Sequence, residues 1–354
     1  MNYSDYATYT EITTQPKAWS QAMELASNLS LLNLQEYHSV TIIGCGSTYY
    51  LSLAIASLLQ SLSGKQVRAV PSSELLLNSE SILPRNRDES ANEPLLIAFS
   101  RSGTTSETIK AVELYKSQNK GFVLSISNYG ETLAQLSDAS LIISEGEEKS
   151  IAQTRSFSSM FLAGVFLSAK LAGRNDLVAL GSELPAIGER LIDTYEELAK
   201  DIGSDLSYEN FYLLGSGYRY GLACELSLKL KEMSLSNSEP FHFMEFRHGP
   251  MSMVNDKVGL IGLVSEKNRG LEKNILEEMK ALGSRNITLG ETETDIAFMS
   301  NLPDQLVGVL YLPVFQMVAF FRSIEKGLNP DKPHNLSAVV KLDLSKEVLS
   351  LNKS

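Results

Sequence analysis

Val40-Thr41-Ile42-Ile43-Gly44-Cys45-Gly46-Ser47-Thr48-Tyr49-Tyr50 decides the architecture, because Phe211-Tyr212-Leu213-Leu214-Gly215-Ser216-Gly217-Tyr218-Arg219-Tyr220 repeats its pattern close to half of the 354 residues later. Each copy is an apolar run, a Gly-x-Gly turn, and a helix-like stretch with a tyrosine near its start. Downstream apolar runs recur in the same order. Leu95 to Phe99 matches Gly259 to Val264, Gly121 to Ser125 matches Asn286 to Leu289, and Leu141 to Ile143 matches Val307 to Leu312. Strands alternating with helical stretches imply parallel sheets. Two related α/β domains are therefore expected. Pro16 is expected to open a leading helix through Trp19, Met23, Leu25 and Leu29. A helical bridge from Leu177 to Asp201 takes the domain boundary, giving 1–195 and 196–354. Pro84 to Pro94 reads as a charged, turn-rich loop.

The first half carries Ser100-Arg101-Ser102-Gly103-Thr104-Thr105-Ser106-Glu107-Thr108 between a buried strand and a helix. Unpaired N–H groups and the dipole of a helix start favour an anion, and hydroxyls add donors. No Walker lysine pattern and no G-x-G-x-x-G is present, so a phosphate monoester fits better than a nucleotide. The plainer reading is a hydroxyl-rich helix cap. Set against this loop, the second half has Ser265-Glu266-Lys267-Asn268-Arg269-Gly270, without the hydroxyl cluster. One full phosphate site per chain is expected, in the first half.

Composition narrows the function classes. Hydrophobic residues at 43% and charged residues at 21% are ordinary for globular chains. A net charge of −11 argues against nucleic acid or anionic membrane as partner. Two distant cysteines, Cys45 and Cys224, and four histidines give no disulfide framework or metal-ligand spacing, so no metal or cofactor is expected. The N-terminus lacks a signal-peptide pattern, and Leu306 to Phe321, broken by Pro313 and Gln316, falls short of a membrane span. A soluble, cytoplasmic protein is expected.

The second half adds Leu228-Lys229-Leu230-Lys231-Glu232-Met233-Ser234 and Phe246-Arg247-His248-Gly249-Pro250. Lys229 and Glu232 share a helix face. A carboxylate beside an ammonium can move a proton while the cation stabilises developing negative charge on oxygen. A surface ion pair is the common alternative. His248, presented by a Gly-Pro turn, suits proton transfer near neutral pH, or it caps a neighbouring carbonyl. His242 is left as structural. No G-x-S-x-G elbow is present, Cys45 lacks a nearby base, and neither Gly-x-Gly turn has the third glycine of a dinucleotide fingerprint.

These motifs, with Glu148-Lys149-Ser150-Ile151-Ala152-Gln153-Thr154-Arg155, resemble in order and spacing the tandem sugar isomerase (SIS) family. The pattern looks like the isomerase half of glucosamine-6-phosphate synthase. Gln15 to Trp19 and Val70 to Leu75 look closer to stand-alone amino-sugar-phosphate deaminases and tagatose-6-phosphate ketose/aldose isomerases. The resemblance implies two tandem SIS domains, each a flavodoxin-like parallel sheet flanked by helices. It implies that Ser47, Thr48, Ser100, Arg101, Ser102 and Thr105 hold the phosphate and nearby hydroxyls, with Ile151 and Ser337 lining the substrate. By the same resemblance Glu232 moves the proton between C1 and C2, Lys229 assists, and His248 opens the ring from the neighbouring subunit of a homodimer.

Two departures matter. The synthase needs an N-terminal cysteine on a glutaminase domain, whereas Met1 is followed by Asn2 and no such domain precedes the first strand, so glutamine-derived ammonia is not expected. The synthase's tail lysine, which forms an imine with the ketose, is replaced by Ala338, and Lys341 lies three residues on. An alanine cannot form a Schiff base. A deaminating isomerase, which starts from the 2-amino aldose, does not need that lysine. The resemblance thus implies conversion of a 2-amino-hexose 6-phosphate, of glucosamine or galactosamine type, to the ketose phosphate and ammonia. Plain ketose/aldose isomerisation, fructosamine-phosphate deglycation and non-catalytic sugar-phosphate sensing are the alternatives.

Overall fold

The computed structural model describes residues 2–29, 32–83, 93–118 and 121–339. Most of the 84–94 loop, and Lys341, lie outside the described residues. In chain order the first half runs α1 (Ala7–Asn28), β1 (Tyr37–Gly44), α2 (Ser47–Ser63), β2 (Val67–Pro71), α3 (Ser72–Leu77), α4 (Ser79–Ile82), β3 (Glu93–Ser100), α5 (Ser106–Gln118), β4 (Phe122–Ser127), α6 (Thr132–Leu136), β5 (Ala139–Ile142) and α7 (Arg155–Leu171). Helices α8 (Asn175–Leu180) and α9 (Leu184–Ser204) lead into the second half. There follow β6 (Asn210–Gly215), α10 (Tyr218–Ser234), β7 (Asn237–Phe241), β8 (Val258–Leu263), α11 (Arg269–Ala281), β9 (Arg285–Gly290), β10 (Ile296–Ala297) and α12 (Leu312–Glu325).

The strands form two parallel five-stranded sheets, ordered β2-β1-β3-β4-β5 and β10-β9-β8-β6-β7. Read from its other edge and counted from β6, the second order is the same as the first. The turns that follow the first strands also match. Gly46 has φ +56° and Gly217 φ +60°. A Cβ on Gly44 or on Gly215 would stand 2.4 Å from backbone atoms of Thr48 or Arg219 respectively. Only glycine fits where a strand folds this sharply into a helix.

Alternate residues of the strands face opposite layers, as the pleat demands. Ile42 and Leu213 enter one continuous core shared by both halves. Ile43 joins a smaller cluster outside the first sheet, and Leu214 one outside the second. Helices α2 and α10, the equivalent helices of the two halves, meet in the shared layer. A Cβ on Gly221 would lie 2.6 Å from the Tyr50 carbonyl oxygen and from the Ala54 amide nitrogen, so this glycine sets how closely the two helices approach.

Three expectations are corrected. Pro16 lies inside α1, which already begins at Ala7. A proline there removes the bond to the carbonyl four residues back, and the Gln15 side-chain amide donates to that carbonyl, of Ile12, at 2.8 Å. Val307 to Leu312 is no strand: Val307–Tyr311 is a 3₁₀ turn running into α12, and the fifth strand of the second sheet is the short β10. The apolar stretch Val307–Glu325 is long and apolar enough to cross a membrane, contrary to the expectation, but 94% of its apolar 18-residue window is buried inside the protein. It is the helix that fills the shared core. The expected 195/196 boundary falls within α9, where Gly188 abuts Trp19 of α1 and Gly203 abuts Phe321 of α12.

Candidate active site

In the strand order 2-1-3-4-5, connections leave the first and third strands in opposite directions, opening a crevice beyond their carboxyl ends where ligands bind. Strands β1 and β3 are paired there, with Ile43 opposite Ala98. The Gly44–Thr48 turn and the Ser100–Thr105 loop therefore lie side by side.

The hydroxyl loop is folded on itself around Gly103, at φ +66°. The Ser100 hydroxyl accepts the Gly103 N–H at 3.2 Å and lies 3.3 Å from the Thr105 hydroxyl. The Ser102 hydroxyl accepts from the Thr104 N–H at 3.2 Å and the Thr104 hydroxyl at 3.1 Å. Helix α5 starts directly behind this fan of hydroxyls. Thr48 braces its own turn. Its hydroxyl accepts the Cys45 N–H at 2.8 Å and donates to the Cys45 carbonyl at 2.9 Å, bracing the turn. The Cys45 thiol is pushed up by burial, as befits a packing group rather than a nucleophile.

Ser47, by contrast, looks across to the other half. Its hydroxyl accepts from the Lys229 ammonium at 3.2 Å. Lys229 also pairs with Glu232 and stands 3.3 Å from Glu225. Glu225, Lys229 and Glu232 fall one and two turns apart on α10 and share a face. The side chains of Glu225 and Lys229 are fully buried, while 19% of Glu232 remains exposed. A substrate can thus reach Glu232, and Glu225 sits beneath it, within reach of Lys229. Burial pushes the Glu225 carboxyl up to about 8 despite Lys229, with Glu232 adding to the rise. Burial alone would lower the Lys229 ammonium, but Glu225 and Glu232 outweigh it and hold the group above its ordinary value. Burial thus favours the neutral form of Glu225 beneath the paired Lys229 and Glu232. The surface-pair alternative does not describe a lysine with no exposed side chain.

The Arg101 side chain is engaged with main chain. Only 7% of it is exposed. Its guanidinium donates to the carbonyls of Ile151 at 2.8 Å, Ser150 at 3.3 Å and Ala338 at 2.7 Å. Glu148 stands 3.8 Å from it. Ile151 is thereby brought beside the hydroxyl loop. The 148–154 segment is itself held by two carboxylates. Glu11 of α1 accepts the N–H groups of Lys149 and Ser150 and the Ser150 hydroxyl, and Glu148 accepts from Thr154 and Ser156. Burial, and then Glu148, raise the Glu11 carboxyl.

Ser337 is exposed, with its hydroxyl on the Val339 carbonyl at 3.1 Å. His248 is exposed on the turn after Glu245–Arg247, and among the described residues no hydrogen bond or ion pair ties its ring to Lys229 or Glu232. His242, read as structural, stacks on Tyr220 at 3.9 Å between ring centres.

The equivalent crevice of the second half is filled from within. Strand register sets Ala98 and Gly262 in equivalent positions, so Ser265 stands where Arg101 does, one place from the alignment expected. Its N–H and hydroxyl donate to Glu272 at 2.6 and 3.0 Å. Arg219, standing where Thr48 does, pairs with Asp304 and donates to the Tyr311 hydroxyl at 2.7 Å. An internal carboxylate thus occupies this loop's donors.

The sequence reading missed Glu225, Glu11 and Glu148. Glu225 was legible as a carboxylate four residues before Lys229, on the helix face that Lys229 and Glu232 share.

The SIS domain model matches residues 33–170. The matched segment, from before β1 to the end of α7, is similar to a SIS domain. Curated relatives of the chain include the glutamine–fructose-6-phosphate aminotransferases (isomerizing) of Pyrococcus horikoshii and Pyrobaculum aerophilum, 28% and 30% identical over 94% of this chain. The chain spans 57% of the length of each. Among solved structures, a glucosamine-6-phosphate deaminase from Thermotoga maritima is 27% identical with a TM-score of 0.78, over 95% of this chain and all of that one. A tagatose-6-phosphate ketose/aldose isomerase described from Clostridium novyi shares the fold at 23% identity and a TM-score of 0.82, over 95% of this chain and 94% of that one.

Proposed function

We propose that the chain is an amino-sugar-phosphate deaminating isomerase built from two SIS domains, acting on a 2-amino-hexose 6-phosphate. One observation carries this reading: the first half's Ser47 is hydrogen-bonded to the second half's Lys229, which is paired with Glu232. The crevice beside the hydroxyl loop therefore ends at a carboxylate–ammonium pair. The phosphate is held by the Ser100, Ser102, Thr104 and Thr105 hydroxyls and the N–H groups at the start of α5. Glu232 takes the proton from C2 of the open-chain amino aldose, and Lys229 stabilises negative charge developing on the C1 oxygen. Returning the proton to C1 gives the C2 imine, which water converts to the ketose and ammonia. Ala338 supports deamination over amino transfer, because no lysine at this position can hold a ketose as an imine. His248, exposed on its turn, serves ring opening in the neighbouring subunit of a homodimer.

The test is to supply glucosamine, galactosamine and fructosamine 6-phosphates and to measure ammonia and ketose phosphate together. Equimolar release from an amino aldose phosphate supports the proposal. Ketose formation from aldose phosphates with no ammonia from any amino sugar overturns it in favour of plain isomerisation.

A further inference from the structure

The hydroxyl loop contains one side chain that turns away from it. Arg101 is buried, and its terminal nitrogens are spent on three carbonyls from two separate segments, Ser150–Ile151 and Ala338. Among the described residues, the segment leading to Ala338 is also tethered at Asp331. At Asp331 the carboxylate accepts the N–H groups of Ala7 and Thr8, and the carbonyl accepts the Ile151 N–H at 3.1 Å. Between these two points His334 to Ala338 are exposed. Carbonyls are strong acceptors, and a guanidinium offers several donors in one rigid plane. A single arginine can thus add a second tie between the tail and the Ile151 segment, beyond the bond at Asp331.

We propose that Arg101 is a positioning residue rather than a phosphate ligand: its guanidinium clamps the C-terminal tail, through the Ala338 carbonyl, to the Ile151 segment, so that hydroxyl loop, sugar-side segment and tail close as one unit. The phosphate then needs no direct cation, because hydroxyls and N–H groups supply its donors. The clamp uses the reading of the crevice as a sugar-phosphate site, but its bonds exist in the free protein and can be tested there.

The experiment compares amide hydrogen exchange and kinetics of the full chain with those of Arg101→Lys and Arg101→Gln. In the free protein, exchange of residues 334–339 speeds up roughly tenfold in Arg101→Gln, the effect of losing a charge-assisted hydrogen bond. It speeds up less in Arg101→Lys, whose ammonium reaches fewer carbonyls, and the strands of the first sheet stay as protected as before. The KM for glucosamine 6-phosphate rises about tenfold in Arg101→Lys, while inhibition by inorganic phosphate changes less than twofold. Unchanged tail exchange in both variants overturns the clamp. Equal weakening of inorganic phosphate and substrate also overturns it, since that marks a direct phosphate ligand. If the wild-type chain turns over no amino-sugar phosphate, the proposed function fails while the exchange comparison still decides the clamp.

Discussion

Replacing Glu225 with glutamine tests the electrostatic design of the α10 cluster through stability alone. The Glu225 carboxyl is wholly buried, and its folded value is about 8 against 4.5 for the ordinary carboxyl. Between those values the folded chain binds the proton that the unfolded chain has released. Stability from this group is therefore fully present below about pH 4.5 and is lost as pH rises through 8. Linkage gives a loss of about 2 kcal/mol between pH 6 and pH 8. Glutamine mimics the protonated acid and cannot ionise, so this loss disappears in the variant. We expect urea unfolding curves of the two proteins to lie within about 1 kcal/mol of each other at pH 6. By pH 8 to 9 the variant should be the more stable by about 2 kcal/mol relative to that starting difference. Other titrating groups cancel in the comparison. Parallel stability profiles across pH 6 to 9 would refute the reasoning, since they would mean Glu225 is ionised throughout.

Gly221→Ala places a methyl group 2.6 Å from the α2 backbone, and backbone cannot swing aside as a side chain can. We expect a loss of about 1 to 3 kcal/mol in denaturant unfolding, together with lower turnover, because Lys229 retreats from Ser47. Glu11→Ala leaves the Lys149 and Ser150 N–H groups without their acceptor. Its cost should be about 1 to 3 kcal/mol, and hydrogen exchange should quicken over 148–154 while the β1 and β3 amides are unaffected.

Much of the fold was legible because a Gly-x-Gly turn after an apolar strand has few structural solutions, and seeing it twice implied two matching sheets. What misled was local. Val307 to Leu312 is as apolar as a buried strand, and composition cannot distinguish that from the first turn of a buried helix. Pro16 looked like a helix start because the compensating bond comes from the side chain of Gln15, which no spacing rule anticipates. At the site, the Lys229–Glu232 pairing was readable from helical spacing and its burial from the apolar Leu222, Ala223, Leu226 and Leu230 around it, but the close approach of α2 at Gly221 was not. Arg101 was expected at the phosphate and nearby hydroxyls through the family resemblance. Its actual partners are main-chain carbonyls, and any residue type can supply those.

The central claim is that Glu232, held by Lys229 at the end of a crevice shared with the first half, moves the C2 proton of an amino-sugar phosphate. The most direct measurement follows loss of deuterium from [2-²H]glucosamine 6-phosphate in wild type and in Glu232→Gln. We predict a primary isotope effect on turnover in the wild type. In the variant we predict a rate about 10²- to 10⁴-fold lower, with substrate still bound. Undiminished deuterium loss in Glu232→Gln would contradict the account.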